Sequence, residues 1–71
     1  MNADKTAKLV KMANQIGDYF APRPPNEAAA GTADHIRQFW TPKMIEEIVA
    51  AALAGDVGLN PTAADAVKTL K

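Results

Sequence analysis

Phe39-Trp40-Thr41-Pro42-Lys43-Met44 sets two large aromatic rings against the end of one helix and the start of the next. Thr41 is a natural N-cap, and Pro42 takes the first helical position, where a missing N–H costs nothing. Two helices therefore meet at a sharp bend with almost no loop. Trp40 is the only tryptophan of the chain, and aromatic rings bring the largest burial per side chain. Either the pair closes the protein's own core or it is a surface that grips something larger. Neighbouring positions on a helix point about 100° apart, so both rings cannot face inward. At least one is expected at an edge, available to a partner.

Upstream of the corner, Ala29, Ala33, Ile36 and Trp40 form a stripe at helical spacing. Asn26 is the expected N-cap of that helix, with Glu27 favourably placed at the positive end of its dipole. A split at Gly31-Thr32, with Thr32 as a second cap, stays open. Ala21-Pro22-Arg23-Pro24-Pro25 places three prolines in four residues and reads as a short stiff connector rather than as a proline-rich ligand. Before it, Leu9, Met12, Ala13, Ile16 and Phe20 mark one face of a long amphipathic helix, with Lys8, Lys11, Asn14 and Asp18 on the opposite side. Asn2 or Asp4 would cap its start. Gly17 implies a last turn that is either frayed or closely packed.

Downstream, Ile45, Ile48, Val49, Ala52 and Leu53 give the apolar face of the third helix. Ala54-Gly55-Asp56-Val57-Gly58-Leu59 reads as a turn with Gly55 as the C-terminal cap. Asn60-Pro61 repeats the cap-then-proline device and opens a short helix through Ala64, Val67 and Leu70, frayed from Thr69. Neither alternating strand patterns nor internal repeats occur. The expectation is an all-α fold: one small domain over residues 1–71, a bundle of three to four short helices at about 3–20, 26–40, 42–54 and 61–69, joined by Pro/Gly-rich turns.

The 71 residues contain no cysteine. Small scaffolds usually need disulfides, metals or association with a partner, and the first is impossible here, along with cysteine-based metal sites. Much of the 48% hydrophobic content is alanine, which allows close helix contact but buries little. The isolated chain is expected to be poorly stable and to gain order on binding. Eight basic residues balance eight acidic ones, whereas nucleic-acid binders carry a basic patch and usually a high pI. Lys5, Lys8 and Lys11 read as a solvated face rather than a binding stripe. No apolar run is long enough to span a membrane. Met1-Asn2-Ala3-Asp4-Lys5 lacks the order of a signal peptide, so the expectation is a soluble, cytoplasmic protein.

Reactive chemistry is sparse. His35 is the only histidine, and its neighbour Asp34 points elsewhere on the helix. A metal site needs three or four ligands. Glu46 and Glu47 diverge for the same reason as His35 and Asp34. Serine is absent, no phosphate-binding glycine loop occurs, and a few short helices are expected to enclose little pocket volume. No catalytic, cofactor-binding or metal residue is assigned. Interaction chemistry remains, because Tyr19, Arg37, Phe39, Trp40 and Met44 are types enriched at interface cores and hot spots.

The block Lys11-Met12-Ala13-Asn14-Gln15-Ile16 followed by Phe20, then His35-Ile36 and Phe39-Trp40-Thr41-Pro42-Lys43-Met44, and finally Gly58-Leu59-Asn60-Pro61 with Ala64, resembles the small delta subunit of cytoplasmic, NAD-dependent formate dehydrogenase containing molybdenum or tungsten. The segment Ala21 to Thr32 departs from that pattern. The resemblance implies a non-catalytic accessory subunit of a hetero-oligomer. Its partner would be the large catalytic subunit, which carries bis-molybdopterin guanine dinucleotide with Mo or W and iron–sulfur clusters, while other subunits carry FMN and bind NAD. The implied work is assembly, cofactor insertion or stability of the complex, with no cofactor in this chain. The implied partner contacts are Asn14, Gln15, Phe39, Trp40, Pro42 and Met44, to which the residue-type argument adds Arg37. The alternative from the residues alone is a free-standing regulatory or nucleic-acid-binding module with a helix-turn-helix at Thr41-Pro42.

Overall fold

In the computed structural model, which describes residues 2–55 and 58–70, the last three helices each begin at a proline. The helices are α1 (Asn2–Phe20), α2 (Pro25–Phe39), α3 (Pro42–Leu53) and α4 (Pro61–Thr69), and no strand occurs among the described residues. The chain is all-α. Thr41 accepts the Met44 N–H at 3.2 Å and Asn60 accepts the Ala63 N–H at 2.8 Å, each followed by proline at the first helical position. The expected capping by Asn2 or Asp4 concerns side chains outside the described ones, and Asp56 and Val57 of the expected turn also lie outside the described residues.

Two local expectations need correction. Asn26 does not cap α2. Pro25, with its fixed φ, already occupies the first turn, so Pro24 stands at the cap without a side-chain bond and its carbonyl accepts the Ala28 N–H at 2.8 Å. Nor does Gly31-Thr32 split the helix: the buried Thr32 hydroxyl donates to the Ala28 carbonyl one turn back at 2.8 Å. That bond satisfies the hydroxyl inside the helix and leaves nothing to compete with it.

α1 packs on all three other helices, and α2 packs chiefly on α4 and α1. Although only two residues join them, α2 and α3 share hardly any packing. They diverge from the corner, and α1 and α4 fill the wedge between them. The core gathers Leu9 and Ala13 from α1, Ile36 and Trp40 from the end of α2, Ile48 from α3, and Ala63 and Val67 from α4. Its largest fully buried side chains are only Ile36, Ile48, Val67 and Thr32. The radius of gyration is 10.9 Å, against about 11 Å for a globular chain of this length.

Gly17 settles its open question in favour of close packing. A Cβ there would lie 3.0 Å from Asn60 Oδ1 and 3.2 Å from the Ala63 nitrogen, so α4 can seat on α1 only because position 17 is bare. The same contact is locked by a polar clasp. Asn14 Oδ1 accepts the Asn60 N–H at 2.8 Å, and Asn14 Nδ2 donates to the Gly58 carbonyl at 2.8 Å. Asn60 Nδ2 donates in return to the Asn14 carbonyl at 3.2 Å and to Asp18 Oδ1 at 3.1 Å. Asn14 therefore faces the α3–α4 connection, while Asp18 stays exposed as the helical pattern suggested and reaches that connection only through the Asn60 amide.

Candidate functional site: an apolar groove between α1 and α2

The corner separates the two aromatic rings. Trp40 leaves the helix with extended backbone (φ −93°, ψ 148°) while its N–H still donates to the Ile36 carbonyl. That bend turns the indole into the core at 7% exposure and leaves Phe39, the last helical residue, 69% exposed. One turn earlier on α2, His35 lies against Phe39, with ring centroids 4.6 Å apart and planes tilted by 37°. This contact gives His35 an aromatic neighbour and no catalytic one: Asp34 instead pairs with Arg37 at 3.2 Å. Among the described residues no group of three His, Cys, Asp or Glu converges.

The opposing wall comes from α1. Met12, Gln15, Ile16 and Tyr19 recur at helical spacing, on the side next to the Leu9–Ala13–Gly17 face that α4 and α2 cover. Phe20 closes this wall against α2, where Gly31 makes room for it: a Cβ at position 31 would come within 2.7 Å of the ring. Tyr19 meets Phe20 edge to face at 5.0 Å, and the Arg23 guanidinium lies 5.6 Å from the Phe20 centroid. Met44, in the first turn of α3, seals the far end beside Trp40. Together these walls form an open groove of about 750 Å³, a surface trough rather than an enclosed pocket.

None of the nine lining residues is Asp, Glu, Lys or Arg. Large exposed apolar side chains are Met12, Tyr19, Phe39 and Leu53, and the first three line this groove. Such clustering is what distinguishes an interaction surface from scattered exposed hydrophobics.

Of the residues singled out from sequence, Gln15, Phe39, Trp40 and Met44 come together here. Asn14, Arg37 and Pro42 do not. Asn14 spends its amide on the clasp with Asn60. Arg37 donates to Asp34 and, at 2.8 Å, to the Thr69 carbonyl at the end of α4, a favourable place for a cation. Pro42 starts α3 and stands outside the groove. Trp40 serves the core first and shows the groove only an edge. Met12, Ile16 and Phe20 were assigned to an inward stripe. The signal that would have found them is width: α1 carries more apolar surface than three short neighbours can cover.

A family model described as the NADH-dependent formate dehydrogenase delta subunit, FdsD, matches residues 8–67 of the chain. Neither a curated protein nor a solved structure matches it.

Proposed function

The chain belongs to the delta-subunit family of NADH-dependent formate dehydrogenase, matched over residues 8–67, and from that membership we propose that it is a non-catalytic accessory subunit whose α1–α2 groove docks on the large catalytic subunit. The observation that carries this reading is the convergence of Met12, Tyr19 and Phe39 on one groove lined by no Asp, Glu, Lys or Arg. Burying those side chains in a partner supplies apolar contact that the thin core of the chain lacks, and it would hold α1 and α2 in register. The chain offers no ligand set for a cluster or a metal ion among its described residues. On this reading the molybdenum or tungsten centre, the iron–sulfur clusters and the flavin belong to partner subunits in the cytoplasmic complex. This chain contributes a surface that supports assembly or stability. No helix among the described residues is long and apolar enough to cross a membrane.

Co-purification tests it. Phe39→Ala changes an exposed ring that lines the groove and should leave the fold intact while releasing the chain from the complex. If the Phe39→Ala chain remains bound at full stoichiometry through gel filtration, the groove is not the docking surface. The helix-turn-helix alternative finds no support in the corner, which presents an apolar ring rather than a row of cations.

A further inference from the structure

The four helices are not held with equal strength. α1, α2 and α4 each bury several residues, and polar bonds tie them to one another. The Asn14–Asn60 clasp joins α1 to α4, and Arg37 of α2 donates to the Thr69 carbonyl at the end of α4. α3 has neither kind of hold. It buries only Ile48, and it packs less on α1 and on α4 than those two pack on each other or on α2. Among the described residues its one polar tie to another helix is an ion pair, Lys5 Nζ to Glu47 Oε1 at 3.6 Å. The lysine is exposed, and such pairs contribute little. The other oxygen of that carboxylate, Oε2, is enclosed without a hydrogen-bond partner, a cost that only the docked position carries.

The corner leading into α3 is built to turn. Trp40 stays with α2 through its N–H on the Ile36 carbonyl, and the first turn of α3 closes on Thr41. No hydrogen bond among the described residues crosses from α2 into α3. Hinges are commonly a few residues of this kind at element ends. We infer that α3 is a hinged arm, which leaves the bundle as a unit about Thr41 while α1, α2 and α4 stay assembled, with the unpartnered Glu47 oxygen weighing against its docked position. A helix of twelve residues is marginal alone in water, so opening includes loss of helix in α3. It withdraws Met44 from the far end of the groove and bares the core around Ile48, enlarging the apolar surface of the chain. This opening belongs to the free chain and stands apart from the docking function.

Native-state hydrogen exchange of the full chain, read amide by amide by NMR, tests it. Residues 48–52 should open together, with protection at least about thirtyfold below that of residues 13–16 in α1 and of Ile36 and Arg37 in α2. Asn60→Ser weakens the α1–α4 clasp, which is present in both the closed and the arm-open forms. It should therefore lower protection in α1 and α2 by about tenfold and shift α3 by less than about twofold. Glu47→Met removes the enclosed oxygen and keeps an unbranched side chain, so α3 protection should rise by at least about threefold. A smaller gap between α3 and the other helices in the wild-type chain, or a parallel fall of all of them in Asn60→Ser, means that α3 opens only with the whole chain and overturns the inference. Unchanged or lower α3 protection in Glu47→Met overturns it as well, because the carboxylate then does not weigh against docking.

Discussion

Replacing Asn60 by alanine should remove more stability than any other single polar change in the chain. The side chain carries three bonds at once: it accepts the Ala63 N–H as the cap of α4, and it donates to the Asn14 carbonyl and to Asp18. Loss of a cap costs about 1 kcal/mol. The two donated bonds, only partly buried, contribute about 0.5–1 kcal/mol each, and alanine leaves the Asn14 carbonyl to find water at a tight helix contact. The sum is about 2–3 kcal/mol. A chain of this length has about 4–10 kcal/mol in all, so the change removes a quarter to a half or more of it and should lower Tm by about 10–20 °C.

Asn60→Ser separates the parts, since serine keeps the cap and loses only the two bonds that the Asn60 amide donates to the clasp. It should cost about 1–2 kcal/mol. Urea and thermal melts followed by far-UV circular dichroism read both values. In a double-mutant cycle with Asp18→Ala, whose carboxylate bonds the Asn60 amide side chain to side chain, the coupling should be about 0.5–1 kcal/mol. A loss below about 0.5 kcal/mol for Asn60→Ala, or no coupling to Asp18, would refute the clasp as the lock between α4 and α1.

Three further outcomes follow from the same geometry. Trp40→Ala should cost about 3–5 kcal/mol and leave the free chain largely unfolded by circular dichroism, whereas Phe39→Ala should shift the melt by less than about 0.5 kcal/mol, because only the first ring is in the core. Gly31→Ala should destabilise by about 1–3 kcal/mol through collision with the Phe20 ring, despite alanine's better helix propensity; a more stable protein in thermal melts would show that Phe20 moves aside freely. Thr41→Ala should cost about 1 kcal/mol through loss of the Met44 cap, with Thr41→Ser close to wild type in the same melts.

Helix starts were legible wherever a cap and a proline stood together, as at Thr41-Pro42 and Asn60-Pro61, because both signals act within one turn. The cap of α2 was misplaced by two residues, since Pro24 and Pro25 both qualify and the asparagine after them looks like a cap. The division of labour at Phe39-Trp40 was half legible. Helical geometry required one ring to be exposed, but which one depends on the extended backbone of Trp40, a consequence of the corner that propensity does not encode. Asn14 shows the opposite limit. A polar residue on a charged-looking face carries no local sign that its partner sits 46 residues away. The groove was hidden for a similar reason: periodicity marks Met12, Ile16 and Phe20 as apolar but cannot tell which part of a wide stripe the neighbouring helices reach.

Oxidative footprinting of the free chain and of the assembled enzyme tests the docking claim most directly. Met12, Tyr19 and Phe39 are 38%, 73% and 69% exposed in the free chain, and all three are readily oxidised side chain types. They should become protected together in the complex. Unchanged labelling of these three in an assembled enzyme that contains the chain, with protection appearing at Leu53 instead, would contradict the account.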